Sequence, residues 1–130
     1  MTPPMAPDER LKGLRLLLVE DEAMVAMMIE EMLEDLGCEV VGPAGDVADA
    51  LALARSDGGI GGAILDVNVG GQPVYPVAEA LKARGAPFVF ITGYEAADID
   101  GRFADVPTVQ KPFSMPVLAD TLARVIAQSV

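Results

Sequence analysis

The sequence predicts one α/β domain, a five-stranded parallel sheet with helices on both faces. Two observations predict it. Short apolar runs occur with no polar alternation, as expected of strands buried on both faces. Each run is followed, after a short connection, by apolar residues spaced three and four apart, so strands and helices alternate. The 130 residues are enough for one domain with a full core, and a 52% hydrophobic content excludes a disordered chain.

Residues 1–13 are proline-rich and mixed in charge, and read as a flexible tail; 14–130 form the domain. RLLLV (15–19) is the first strand. A helix over 22–36 carries Val25, Met28, Ile29, Met32, Leu33 and Leu36 as its apolar stripe and stops at Gly37. Met24 and Met27 fall outside that stripe. EVVGPA (39–44) is the second strand, and Pro43, which cannot donate to a ladder, places it at an edge. Asp46 caps a helix over 47–56. AILD (63–66) is the third strand, and VNVGGQPVYP after it reads as a long loop. A helix follows over 77–84, with Pro76 near its first turn. PFVFIT (87–92) is the fourth strand; a weak helix over 94–103 is broken by Gly101. TVQ (108–110) is the fifth strand, and Ser114 caps a last helix over about 115–128. At this length the flavodoxin-like (βα)5 doubly wound sheet, with strand order 2-1-3-4-5, accommodates the Pro43 strand at its edge. No sequence repeat and no second domain appear, and nothing after the last helix reads as an output module.

A net charge of -11 argues against nucleic acid as a partner. The absence of His removes His-based catalysis and His-based metal sites. Cys38 is alone, so no disulfide forms within the chain, and a reducing compartment is expected. The N-terminus lacks the apolar segment of a signal peptide, and no apolar run approaches a membrane span. A cytoplasmic protein, not membrane-bound, is the expectation.

Ligands of open α/β sheets bind beyond the carboxyl ends of the strands. In this chain those ends carry Glu20, Asp21 and Glu22 after strand one, Asp66 on strand three, Thr92 on strand four and Lys111 after strand five. The acids after a buried strand repel one another and are partly desolvated. A hard cation that prefers carboxylates and water, Mg²⁺, removes that repulsion. Lys111 supplies positive charge to a phosphoryl group, and Thr92 a hydrogen bond. Taken singly, each residue has a plainer role: the acids cap a helix, Asp66 caps a turn, Thr92 ends a strand, and Lys111 lies on the surface.

Four motifs, LLLVEDE, AILDVNV, FITGY and VQKPF, in this order, resemble the receiver domain of two-component response regulators over about 14–128. The resemblance implies Mg²⁺-dependent phosphorylation of Asp66 by a histidine kinase or a histidine phosphotransfer protein, and a downstream protein partner. It implies Mg²⁺ held by Asp21 and Asp66, by Glu20 through water and by the Asn68 backbone carbonyl. Thr92 and Lys111 contact the phosphoryl group, and the bond before Pro112 is cis. PFVFITGYE also resembles a single-domain subgroup associated with alphaproteobacterial stress signalling and marked by a Phe-Ala-Thr-Gly-hydrophobic-Tyr motif; Ile91 replaces its Ala and Glu95 its Tyr. The loop after Asp66 lacks the usual Met-Pro pair, and Thr108 occupies the usual aromatic switch position; Tyr94 is the nearest replacement.

Two other functions compete. A Mg²⁺-dependent phosphohydrolase with an aspartyl nucleophile needs an acid two residues after Asp66, where this chain has Asn68. A non-phosphorylated interaction module has no need of the acids, Thr92 and Lys111 together. The expected function is a stand-alone receiver that acts through protein contacts or as a phosphate relay or sink, and not an enzyme in its own right.

Overall fold

The computed structural model describes residues 10–56, 58–93 and 99–128. Strands β1 (Arg15–Val19), β2 (Glu39–Ala44), β3 (Ile60–Asp66), β6 (Phe88–Thr92) and β7 (Thr108–Gln110) form a five-stranded parallel sheet in the order β2-β1-β3-β6-β7. This is the expected 2-1-3-4-5 order, with the Pro43 strand at the edge. Between β3 and β6 lies a feature the sequence reads as loop: an antiparallel hairpin of β4 (Asn68–Val69) and β5 (Gln72–Pro73). Its two-residue loop is Gly70-Gly71, with φ of +59° and +79°. A tight hairpin turn requires positive φ, which glycine adopts without strain.

Among the described residues, four helices cover the sheet: α1 (Ala23–Asp35), α2 (Val47–Ser56), α3 (Tyr75–Ala83) and α4 (Met115–Gln128). Because side chains alternate along a strand, β1 sends Leu16 and Leu18 to one face and Leu17 and Val19 to the other. The first pair packs with Ile29 and Leu33 of α1 and Leu118 and Leu122 of α4. The second packs with Ala50 and Ala54 of α2 and Val77 and Leu81 of α3. On α1 the buried residues are Ala26, Ile29 and Leu33. Met28, placed in the apolar stripe by its spacing, is 48% exposed, alongside Met24 and Met27.

The α2/α3 face gathers Tyr75, Phe88, Phe90 and Phe103. Tyr75 stacks on Phe103 with ring centres 5.6 Å apart, and Phe90 meets Phe103 edge-on at 5.9 Å. Residues 101–103, the end of the predicted weak helix, form one 3₁₀ turn whose first N–H groups are met by Asp100: its carboxylate accepts from the Arg102 N–H at 2.9 Å. Residues 94–98 lie outside the described residues. Among the described residues no helix is long and apolar enough to cross a membrane.

The structure also places the domain's start earlier than residue 14. Leu11 is fully buried against α1 and α4, its carbonyl faces the Cys38 thiol at 3.3 Å, and the Gly13 N–H donates to the Gly37 carbonyl at 2.8 Å. Residues 10–13 are therefore part of the packed domain. Leu11→Ala is expected to destabilise the protein by about 3 kcal/mol, roughly a 10 °C fall in melting temperature. A thermal melt that matches wild type would place Leu11 outside the cooperative unit.

Candidate functional site

The register of the sheet builds the site. Val19 lies opposite Leu65, so Glu20 and Asp66 follow side by side at the carboxyl ends of β1 and β3. Asp66 lies opposite Ile91, and the next residue on β6 is Thr92. Thr92 lies opposite Gln110, and the next residue is Lys111, whose N–H donates to the Thr92 carbonyl at 2.7 Å. Parallel pairing thus brings residues 20, 66, 92 and 111 to one rim.

Glu20, Asp66 and Thr92 are buried, and Asp21 is exposed. One oxygen from each of Glu20, Asp21 and Asp66 lies within 4.8 Å of the others. The Lys111 ammonium is set among the acids, 2.9 Å from Glu20 Oε1, 3.0 Å from Asp66 Oδ2 and 3.2 Å from Glu22 Oε1. Backbone amides take other oxygens: Glu22 N–H donates to Glu20 Oε2 at 3.0 Å, and Asn68 N–H to Asp66 Oδ1 at 3.2 Å. The Thr92 hydroxyl donates to the Gly93 carbonyl at 3.2 Å. The Lys111–Pro112 peptide is cis, as is Gly42–Pro43.

Burial pushes the Glu20 carboxyl up from 4.5 to about 7; the Glu22 amide and Lys111 oppose that rise, and the neighbouring Asp66 carboxylate adds to it. Burial works to lower Lys111, but Glu20 and Asp66 outweigh it and hold the ammonium above its ordinary range. The pocket therefore has more negative charge than one lysine balances. Glu20 Oε1 is buried and takes no well-directed hydrogen bond among the described residues. An all-oxygen set with excess negative charge is the donor chemistry that suits Mg²⁺.

Of the residues expected from sequence, Glu20, Asp21, Asp66 and Lys111 come together, with the Asn68 backbone beside them. Thr108 is exposed on β7, its hydroxyl donating to the Val106 carbonyl at 3.3 Å. Tyr94 lies outside the described residues. Two contacts go beyond the sequence expectations, which place Glu22 among the acids after strand one without a ligand or phosphoryl role and leave Gly70 in a loop. Glu22 contacts Lys111, and the Gly70 N–H donates to Asp21 Oδ2 at 3.1 Å. Beside Lys111 opens a hollow of about 460 Å³, lined by Val25, Met28, Pro112 and Phe113.

A parallel α/β sheet that gathers acids and a lysine at one rim defines a receiver-type signalling domain. No protein-family model matches the chain. Transcriptional regulatory protein PdtaR of Mycobacterium tuberculosis is 30% identical over 135 residues, covering 98% of this chain. The chain spans 64% of PdtaR's length. The solution structure of SdrG from Sphingomonas melonis Fr1 is 45% identical, with a TM-score of 0.74 over 96% of this chain and 98% of that one. A BeF3-activated conformation of SdrG, from Pseudomonas melonis Fr1, is 50% identical, with a TM-score of 0.72 over 88% of this chain and 98% of that one. A response regulator receiver protein from Sinorhizobium medicae WSM419 shares the fold at 23% identity, with a TM-score of 0.79 over 92% of this chain and 99% of that one. The chain belongs to the receiver-domain family of two-component response regulators.

A pH dependence follows from Glu20. In metal-free protein its folded form keeps a proton up to about pH 7, while the unfolded form releases it near 4.5. The folded state binds more protons in that window, so Glu20 makes stability fall as pH rises through it. With a chelator present, wild type and Glu20→Gln should melt alike near pH 5, and the variant should melt higher at pH 8. Parallel melting-temperature curves for the two proteins across this range would remove Glu20 as the cause.

Proposed function

We propose that this chain takes a phosphoryl group on Asp66 from the phosphohistidine of a histidine kinase or a histidine phosphotransfer protein. It then acts through contacts with a downstream protein, or as a phosphate relay or sink. The observation that carries the proposal is the Lys111 ammonium held between Glu20 and Asp66 at the sheet rim. Glu20, Asp21, Asp66 and the Asn68 carbonyl would hold Mg²⁺. Bound there, the ion would offset the charge of the carboxylates and of the incoming phosphoryl group.

The chemistry of the chain's own residues is simple. An Asp66 carboxylate oxygen attacks phosphorus, the P–N bond breaks with its electron pair left on the imidazole nitrogen, and an acyl phosphate forms. Lys111 already contacts Asp66 Oδ2 and is placed to follow the new negative charge. The Thr92 hydroxyl, bonded among the described residues to its neighbour's carbonyl, would be available to a phosphoryl oxygen. The hollow lined by Val25, Met28 and Phe113 gives a donor protein an apolar seat beside the site.

The likeness to SdrG, known in a BeF3-activated conformation, supports phosphorylation as the input. The FITGY segment supports a place in the stress-signalling subgroup, and the composition supports a cytoplasmic setting. Asn68, which cannot serve as a general acid, weighs against a phosphohydrolase.

Incubation with acetyl phosphate and Mg²⁺ should add one phosphoryl group to wild type and none to Asp66→Asn. Peptide mapping that places the modification on Glu20 or Asp21 would overturn the assignment. Mg²⁺ itself should stabilise the fold. With a Kd on the order of 1 mM, about 10 mM Mg²⁺ contributes roughly 1.4 kcal/mol, a rise of about 5 °C in Tm. A melting curve indifferent to Mg²⁺ would argue against a metal pocket.

A further inference from the structure

The hairpin after Asp66 is unexplained by the phosphoacceptor chemistry alone. Its tip reaches back across the rim. The Gly70 N–H donates to Asp21 Oδ2 at 3.1 Å, and among the described residues it is the hydrogen-bond partner of that carboxylate. Asp21 is exposed on the loop after β1, so little else restricts its rotamer. The tip is held firmly on its other sides. Val69 and Val74 are fully buried in the α2/α3 core, and the Val74 N–H donates to the Val67 carbonyl at 2.8 Å.

The tip also rests on the loop between β2 and α2. A methyl group added at Gly70 would lie 3.2 Å from the Gly45 carbonyl oxygen and 3.4 Å from Asp46 Cβ. A methyl group added at Gly71 meets nothing within 4 Å, although both residues have positive φ. Gly70 is thus wedged between the Gly45–Asp46 backbone and the Asp21 carboxylate, and Gly71 is not.

We infer that Gly70 is a positioning residue for the metal site: its backbone N–H fixes the Asp21 carboxylate so that the other oxygen is presented to Mg²⁺. This rests on the proposed Mg²⁺ role of Glu20, Asp21 and Asp66. Hydrogen bonds to a ligating carboxylate orient it, and losing such a partner weakens metal binding by about tenfold or more. The hairpin is then how this chain orients the outermost of its candidate ligands.

The test compares Gly70→Ala with Gly71→Ala by isothermal titration with Mg²⁺. Both variants strain a left-handed turn residue, and only the first disturbs the wedge. Gly70→Ala should bind Mg²⁺ about tenfold more weakly than wild type, and Gly71→Ala within about twofold of it. Equal weakening in both, or none in Gly70→Ala, overturns the inference. Wild type that binds no Mg²⁺ removes the metal site itself and this inference with it. A second measurement needs no glycine variant. By NMR hydrogen exchange, the Gly70 amide should be protected in wild type and lose that protection in Asp21→Ala, with Gly71 the same in both. An unprotected Gly70 amide in wild type overturns the inference.

Discussion

One ammonium holds the rim of this domain together. Glu20, Glu22 and Asp66 each approach Lys111, with Asp21 close by, at the ends of strands whose interiors are wholly apolar. Such a group of acids is tolerable only with compensating charge, because burial penalises each ionised carboxylate. Lys111 reaches them because β7 pairs with β6 and places it one residue beyond Gln110. The strand order is therefore a condition of the chemistry. A different neighbour for β6 would leave Asp66 without its cation.

The opposite end of the same economy of charge is seen at Arg102. It pairs with Asp100 at 3.0 Å and with Glu79 of α3, and its guanidinium lies 5.4 Å from the Phe103 ring centre. Together with the Asp100 N–H, which donates to the Tyr75 hydroxyl at 2.9 Å, these contacts tie residues 100–103 to α3. The helix begins two residues after the hairpin. The hairpin therefore leads from Asp66, which accepts from the Asn68 N–H, straight into the helix whose Tyr75 stacks on Phe103.

The strands and their order were legible in the sequence because each strand is a continuous apolar run and Pro43 marks an edge. That Glu20, Asp21, Asp66, Thr92 and Lys111 share one rim was legible for the same reason: each ends or follows such a run, and parallel strands carry their ends to the same edge. Less visible were features set by tertiary contact. Gly70-Gly71 between Val69 and Gln72 is a hairpin signal, but the strands it joins are two residues each, too short to show an apolar run. Met28 has the spacing of a core residue, yet smaller Ala26 takes the buried position. Leu11 sits in a proline-rich setting that gives no hint of its burial. The Gly70–Asp21 bond spans 49 residues and uses a backbone donor, which no residue pattern encodes.

Tyr75 has a spectroscopic consequence. The chain has no Trp and only two Tyr, so near-ultraviolet signals arise from few chromophores. One of them is locked by stacking on Phe103 and by accepting a hydrogen bond from the Asp100 backbone. A phenol held in a chiral, asymmetric setting gives circular dichroism that vanishes when it turns freely. The native protein therefore carries its own optical gauge of how tightly residues 100–103 are fastened to α3, with no label attached.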